Sequence, residues 1–247
     1  CIHYPYASGK KFNLKKFYLR RYIRIGIPIL IALLLVRITK MVDEGNKDWL
    51  AGIPAWSLVA EIIYYSIYPL LYKVLKERWV IITLFSFIIS LFFSFTADPE
   101  NYNYPAWGYW GDWILGLPCW LMGVMMCQSF CNRKTIYKVS FSTIWYYRAS
   151  GILLGAIIHH LKLQQVLQEN ITLNWFACFA CFWLFHEICF YLRNKPIYLF
   201  EYCGLWSYSL YLTHPLSNYL FVHKLDIPNF GLIFTWVLSV SFTFLIV

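Results

Sequence analysis

The amino-acid sequence predicts an all-α fold, a polytopic transmembrane helical bundle with about eight helices in this chain, and three observations carry that prediction. Hydrophobic residues make up 60% of the 247 residues and charged residues only 13%, with a mean hydropathy of +0.53; ordinary globular chains carry about twice that share of charge. Apolar runs close to the ~20 residues needed to cross a bilayer recur along the chain. Basic residues alternate between dense and sparse in successive connections.

The first run, Tyr22 to Ile38, follows a basic stretch that suits a cytoplasmic anchor. The second, Ala55 to Tyr72, contains WSLVAEIIYYSIYPLL from Trp56 to Leu71, where Glu61 interrupts aliphatic and aromatic residues. A third, Trp79 to Thr96, lacks charge altogether and leads into ADPENYNYPAWGYWG, Ala97 to Gly111, whose Tyr and Trp residues suit a membrane interface. Further runs are Trp113 to Phe130, Ser142 to His160, Ile171 to Leu192, Cys203 to Val222 and Gly231 to Val247. With no fixed-period repeat or linker between them, residues 1–247 read as a single integral-membrane domain.

Orientation follows from the cations. With the first run starting in the cytoplasm, the inner connections hold Lys10, Lys11, Lys15, Lys16, Arg20, Arg21 and Arg24, then Lys73, Lys76 and Arg78, then Arg133, Lys134 and Lys138, then Arg193 and Lys195. The outer side keeps Arg37, Lys40, Lys47, Lys162 and Lys224. This asymmetry accounts for the +9 net charge through anionic lipid at the inner surface, so the bilayer is the expected partner and nucleic acid is not.

A charge at bilayer depth costs roughly 2.5–3.5 kcal/mol on insertion scales, so Glu61 is expected to face a bundle interior or wet cavity, as a site residue or paired with a cation such as Arg148. His214 precedes Pro215 in YLTHPL; the proline frees a carbonyl one turn earlier, and irregular backbone at membrane depth is tolerated where protein or a cavity surrounds it. Arg20 and Arg24 are four apart and share a helical face, with Arg21 beside them; guanidinium forks suit phosphate oxygens. Arg148, His186 and Glu187 lie near the inner ends of their runs, where snorkelling is the simple reading. Ser57 is expected to cap its helix. Cys178 and Cys181 have CxxC spacing, but Phe, Ala and Trp around them indicate small buried apolar residues, and no metal is expected.

FYLRRYIRIGIP (Phe17–Pro28), WSLVAEIIYYSIYPLL (Trp56–Leu71), LPCWLMGVMM (Leu117–Met126) and YCGLWSYSLYLTHPL (Tyr202–Leu216) occur in this order. Together they resemble the acyltransferase type 3 family, multi-spanning membrane O-acyltransferases that include O-antigen and polysaccharide acetylases. The resemblance implies ten helices in a complete protein, two of them before this chain, the first carrying a histidine held to be the catalytic base. It implies an acyl-CoA donor, acetyl-CoA in particular, bound by Arg20, Arg21 and Arg24. Glu61 and His214 become the candidate catalytic residues. The acceptor is a hydroxyl of a cell-surface sugar, polysaccharide or other envelope molecule, and the location is the bacterial inner (cytoplasmic) membrane. Cys1 in place of an initiator Met and Val247 inside an apolar run fit truncation at both ends. The alternative is a transporter or export protein for a lipid-linked sugar or small solute, with Glu61, Arg148 and His214 as a proton relay.

Overall fold

A computed structural model describes residues 3–7, 9, 11–41, 52–75, 78–96, 107–131, 137–167, 169–194, 211–216 and 219–220. Regular structure among them is helical: α1 (Tyr4–Ala7), α2 (Leu14–Ile38), α3 (Ala55–Leu75), α4 (Trp79–Thr96), α5 (Gly108–Cys131), α6 (Phe141–Leu163), α7 (Glu169–Tyr191) and α8 (residues 211–216). Within them, Trp79–Thr96, Trp110–Cys131 and Thr172–Tyr191 are long and apolar enough to cross a membrane. The result is a helical membrane bundle, and the first six predicted runs coincide with α2 to α7. Of the seventh, only residues 211–216 and 219–220 are described; the eighth, Gly231 to Val247, lies outside the described residues.

Helix boundaries follow local chemistry. α2 starts at Leu14 and not Tyr22, because the Asn13 Oδ1 accepts the Lys16 backbone N–H at 2.9 Å, an N-cap that carries the helix back through the basic stretch. At its other end Lys40 adopts φ 52°, and the Met41 and Lys40 N–H groups donate to Val36 and Arg37 carbonyls at 3.2 and 3.1 Å. α6 closes the same way: Gln165 has φ 57°, with Val166 to Leu161 at 3.0 Å and Gln165 to Lys162 at 2.9 Å. Both are Schellman caps, built here on left-handed residues that are not glycine. Ser140 caps the start of α6, accepting the Thr143 N–H at 3.2 Å. Ser57 is no cap: α3 begins at Ala55, and the Ser57 hydroxyl donates to the Pro54 carbonyl at 2.9 Å.

The chain forms two compact units. One comprises residues up to Phe17 with Val59–Lys195, the other Tyr18–Leu58 with Pro196–Val247. In the first, α4 packs on α5, α5 on α7 and α7 on α6. α4 turns Thr83, Ser86, Ser90 and Ser94 inward, spaced three or four apart, so their small side chains allow close helix approach. Asn174 on α7 donates through Nδ2 to Ser90 Oγ at 2.7 Å and to the Leu115 carbonyl at 3.0 Å, and Ser90 donates to that carbonyl at 3.1 Å. Cys119 donates its thiol to Asn174 Oδ1 at 2.9 Å. Three helices are thereby joined one turn from Pro118, whose missing N–H loosens α5 there. Between α6 and α7 the fit is tighter still: a Cβ on Gly151 would meet the Trp183 ring at 3.0 Å and Phe179 at 3.3 Å.

In the second unit, α2 buries Ile25, Ala32 and Val36 along one stripe, while Ile53, Ala55, Leu58, Leu212 and Leu216 are also buried. Ser57 and Tyr211 share a hydroxyl–hydroxyl bond of 2.6 Å, and Tyr219 donates to the Lys40 carbonyl at 3.3 Å.

Candidate functional site

Glu61 sits half-buried on α3, one turn before Tyr65, whose phenolic hydroxyl donates to Glu61 Oε1. The i,i+4 spacing makes this contact possible without help from another helix. Tyr64, the residue before Tyr65, donates to the Trp113 carbonyl of α5 at 2.7 Å and so fixes the rotation of α3 at this depth. Arg148 is not its partner. The Arg148 guanidinium forks onto Glu187 instead, Nε to Oε1 at 2.8 Å and Nη2 to Oε2 at 3.1 Å, with a third bond from Nη2 to the Tyr191 hydroxyl at 3.2 Å. Trp183 donates to Glu187 Oε1 at 2.9 Å, and Trp145 lies 5.3 Å from the guanidinium carbon. Arg148 and Glu187 are therefore an interhelical pair clamping α6 to α7, which replaces the simple snorkelling reading and removes Arg148 from a relay with Glu61.

His214 lies on α8, and its geometry follows from the proline beside it. Pro215 has no N–H for the Tyr211 carbonyl four residues back. The His214 Nδ1 takes that carbonyl at 2.7 Å. A carbonyl oxygen only accepts, so Nδ1 carries a proton, and in the neutral ring Nε2 presents a lone pair. No partner for Nε2 occurs among the described residues, and the side chain is exposed. Anchored on one nitrogen and open on the other, His214 is able to accept a hydrogen bond from a ligand.

Arg20 and Arg24 are exposed and Arg21 is half-buried, all within the first turns of α2, where Lys16, Arg20 and Arg24 follow each other at intervals of four. They form one cationic face. Glu61 belongs to the first compact unit, and His214 and the three arginines to the second.

Among the buried polar residues that escaped the sequence reading are two titratable ones, His3 and Asp112. His3 is 1% exposed and bridges α3 and α5, with Tyr68 Oη at 2.8 Å from Nδ1 and Gln128 Oε1 at 2.6 Å from Nε2. A carboxamide oxygen accepts, so Nε2 carries the proton and Nδ1 accepts from Tyr68. Tyr72 and Trp79 present ring edges at 6.1 and 5.1 Å. Burial holds the His3 imidazole below its ordinary pKa, against the opposing pull of the Gln128 hydrogen bond. Asp112, also fully buried, accepts the Trp107 backbone N–H at 2.9 Å at the start of α5, where a carboxylate suits the helix dipole. That position, just before an apolar run, was the available signal for Asp112; a lone histidine near the chain start offers none. Cys178 and Cys181 are half-buried, and among the described residues no cluster of His, Cys, Asp or Glu is placed to hold a metal ion.

A family model described as an acyltransferase domain matches residues 5–247. No curated protein and no solved structure matches the chain. The family match covers all four sequence blocks and agrees with a helical membrane bundle. The chain belongs to the acyltransferase type 3 family and is an acyltransferase-type membrane protein.

Proposed function

We propose that this protein moves an acyl group, acetyl in particular, from cytoplasmic acyl-CoA to a hydroxyl of a cell-surface sugar or other envelope acceptor, in the bacterial inner membrane. The observation that supports this reading best is Glu61: among the described residues its partner is a phenol, and its carboxylate is in no ion pair with any of them. In the reaction the acceptor oxygen attacks the thioester carbonyl, the C–S bond breaks, and CoA leaves as its thiol. Glu61 exchanges the acceptor proton with a histidine base, a role that contributes about 10²–10⁴-fold. Arg20, Arg21 and Arg24 take the donor phosphates through charge-assisted bonds. His214, through its open Nε2, orients the acceptor.

Labelled acetyl-CoA supplied to the intact protein in proteoliposomes tests this. Arg20→Ala with Arg24→Ala is expected to raise KM for the donor with little change in kcat, and Glu61→Gln to lower kcat about a hundredfold. Full turnover by Glu61→Gln would sink the assignment.

A further inference from the structure

Outside the residues just assigned, two tyrosine hydroxyls among the described residues are paired with a histidine: Tyr68 with His3, where both are buried, and Tyr137 with His186, where the tyrosine is exposed. Tyr137 precedes α6, at the end of the α6–α7 hairpin where Lys138 and Arg193 lie. Its hydroxyl is 2.7 Å from His186 Nε2, and His186 Nδ1 is 2.6 Å from the Phe182 carbonyl oxygen. The carbonyl can only accept, which puts the ring proton on Nδ1 and leaves Nε2 to receive the Tyr137 O–H. Tyr147 supports the imidazole at 4.6 Å between ring centroids. A hydroxyl, a base within hydrogen-bond reach and a third group fixing the base together form the geometric signature of an activated nucleophile. Tyr137 is 45% exposed and so open to a reagent. Tyr146 supplies the contrast: it is 71% exposed and has a ring contact with Tyr147, with no histidine partner among the described residues.

We infer that Tyr137 is an acyl-accepting nucleophile with His186 as its base, modified by the same class of acyl thioester as the proposed donor; that choice of donor rests on the proposed function. Tyr137 Oη attacks the thioester carbonyl carbon and a C–O bond forms. The phenolic proton passes to His186 Nε2, the C–S bond breaks, and the proton moves on to the departing sulfur, so CoA leaves as its thiol and Tyr137 becomes an aryl ester. The transient imidazolium keeps its Nδ1–H on the Phe182 carbonyl. Partial desolvation raises the Tyr137 hydroxyl above its ordinary pKa, in keeping with a proton that leaves during the attack.

The test begins with N-acetylimidazole, an acetyl donor that needs no CoA site, applied to the whole protein in detergent and read by peptide mass spectrometry. Tyr137 is expected to acetylate at least tenfold faster than the more exposed Tyr146, to lose that preference in His186→Gln, and to carry no label in Tyr137→Phe. Tyr146 reports on folding in the same molecule. Equal or slower labelling of Tyr137 overturns the inference. Acetyl-CoA is then substituted as donor, and label on Tyr137 is expected. If Tyr137 stays bare while an added acceptor is acetylated, the thioester is not its donor, and the proposed function stands. If acetyl-CoA is not consumed by either route, the thioester donor and the transferase reading both fall, and the N-acetylimidazole result alone decides whether Tyr137 is a nucleophile.

Discussion

At the scale of single residues, hydrogen-bond valence decides more than charge does. His214 is aimed by the carbonyl that Pro215 frees. In Pro215→Ala the restored backbone N–H competes for the Tyr211 carbonyl, so the imidazole loses its anchor and KM for the acceptor is expected to rise several-fold. His3 gives a pH dependence whose sign is fixed. Its folded pKa lies below the ordinary 6.5, so the fold binds the neutral ring. The stability it contributes is fully present above about pH 6.5 and is lost as pH falls through the lower folded value. Detergent-solubilised wild type should melt at a lower temperature at pH 5 than at pH 7.5, and His3→Gln should remove part of that difference. Glu61 and His214 stand out in the sequence because each interrupts an apolar run. His3 does not, because its burial depends on Tyr68 and Gln128, 65 and 125 residues away.

Between elements, the α6–α7 hairpin shows how much depends on register. Sequence spacing places α6 and α7 correctly, but which carboxylate meets Arg148 depends on how the two helices slide, and Gly151 against Trp183 sets that. Gly151→Leu would force the Trp183 ring aside at about 1–3 kcal/mol, measurable as a lower melting temperature. Arg148→Met or Glu187→Leu alone strands a partly buried charge at about 3 kcal/mol, the lower end of the range because neither group is wholly buried. The double variant should recover most of that loss in the same melt, since no charge is left unpaired. The start of α2 was misjudged for a related reason. The apolar run begins at Tyr22, yet helix starts are governed by caps, and the Asn13 carboxamide acts well before hydrophobicity does.

Across the whole molecule, the composition and the spacing of apolar runs made the membrane bundle legible, because a bilayer admits so few backbone solutions. The division into two compact units was not legible, since nothing in local pattern marks Tyr18 or Val59 as a change of neighbours. The cation asymmetry makes a topological prediction at this scale. With the native cysteines replaced, Lys138→Cys should react with an impermeant maleimide only from the cytoplasmic side of sealed vesicles and Gln165→Cys only from the opposite side. Reversed labelling would invert the orientation and with it the side from which the donor is bound.

The hydroxyl stripe of α4 also bears on how the protein is made. Thr83 donates to the Trp79 carbonyl at 2.8 Å, Ser86 to Thr83 at 2.7 Å and Ser94 to Ser90 at 2.9 Å, all within the helix itself. During synthesis α4 is therefore able to leave the translocation channel for lipid with these hydroxyls already satisfied. Ser90 reaches out, to α5, which emerges next, and it is met by Asn174 of α7, which emerges later. Its bond to Leu115 thus marks the moment at which an inserted helix becomes an assembled one.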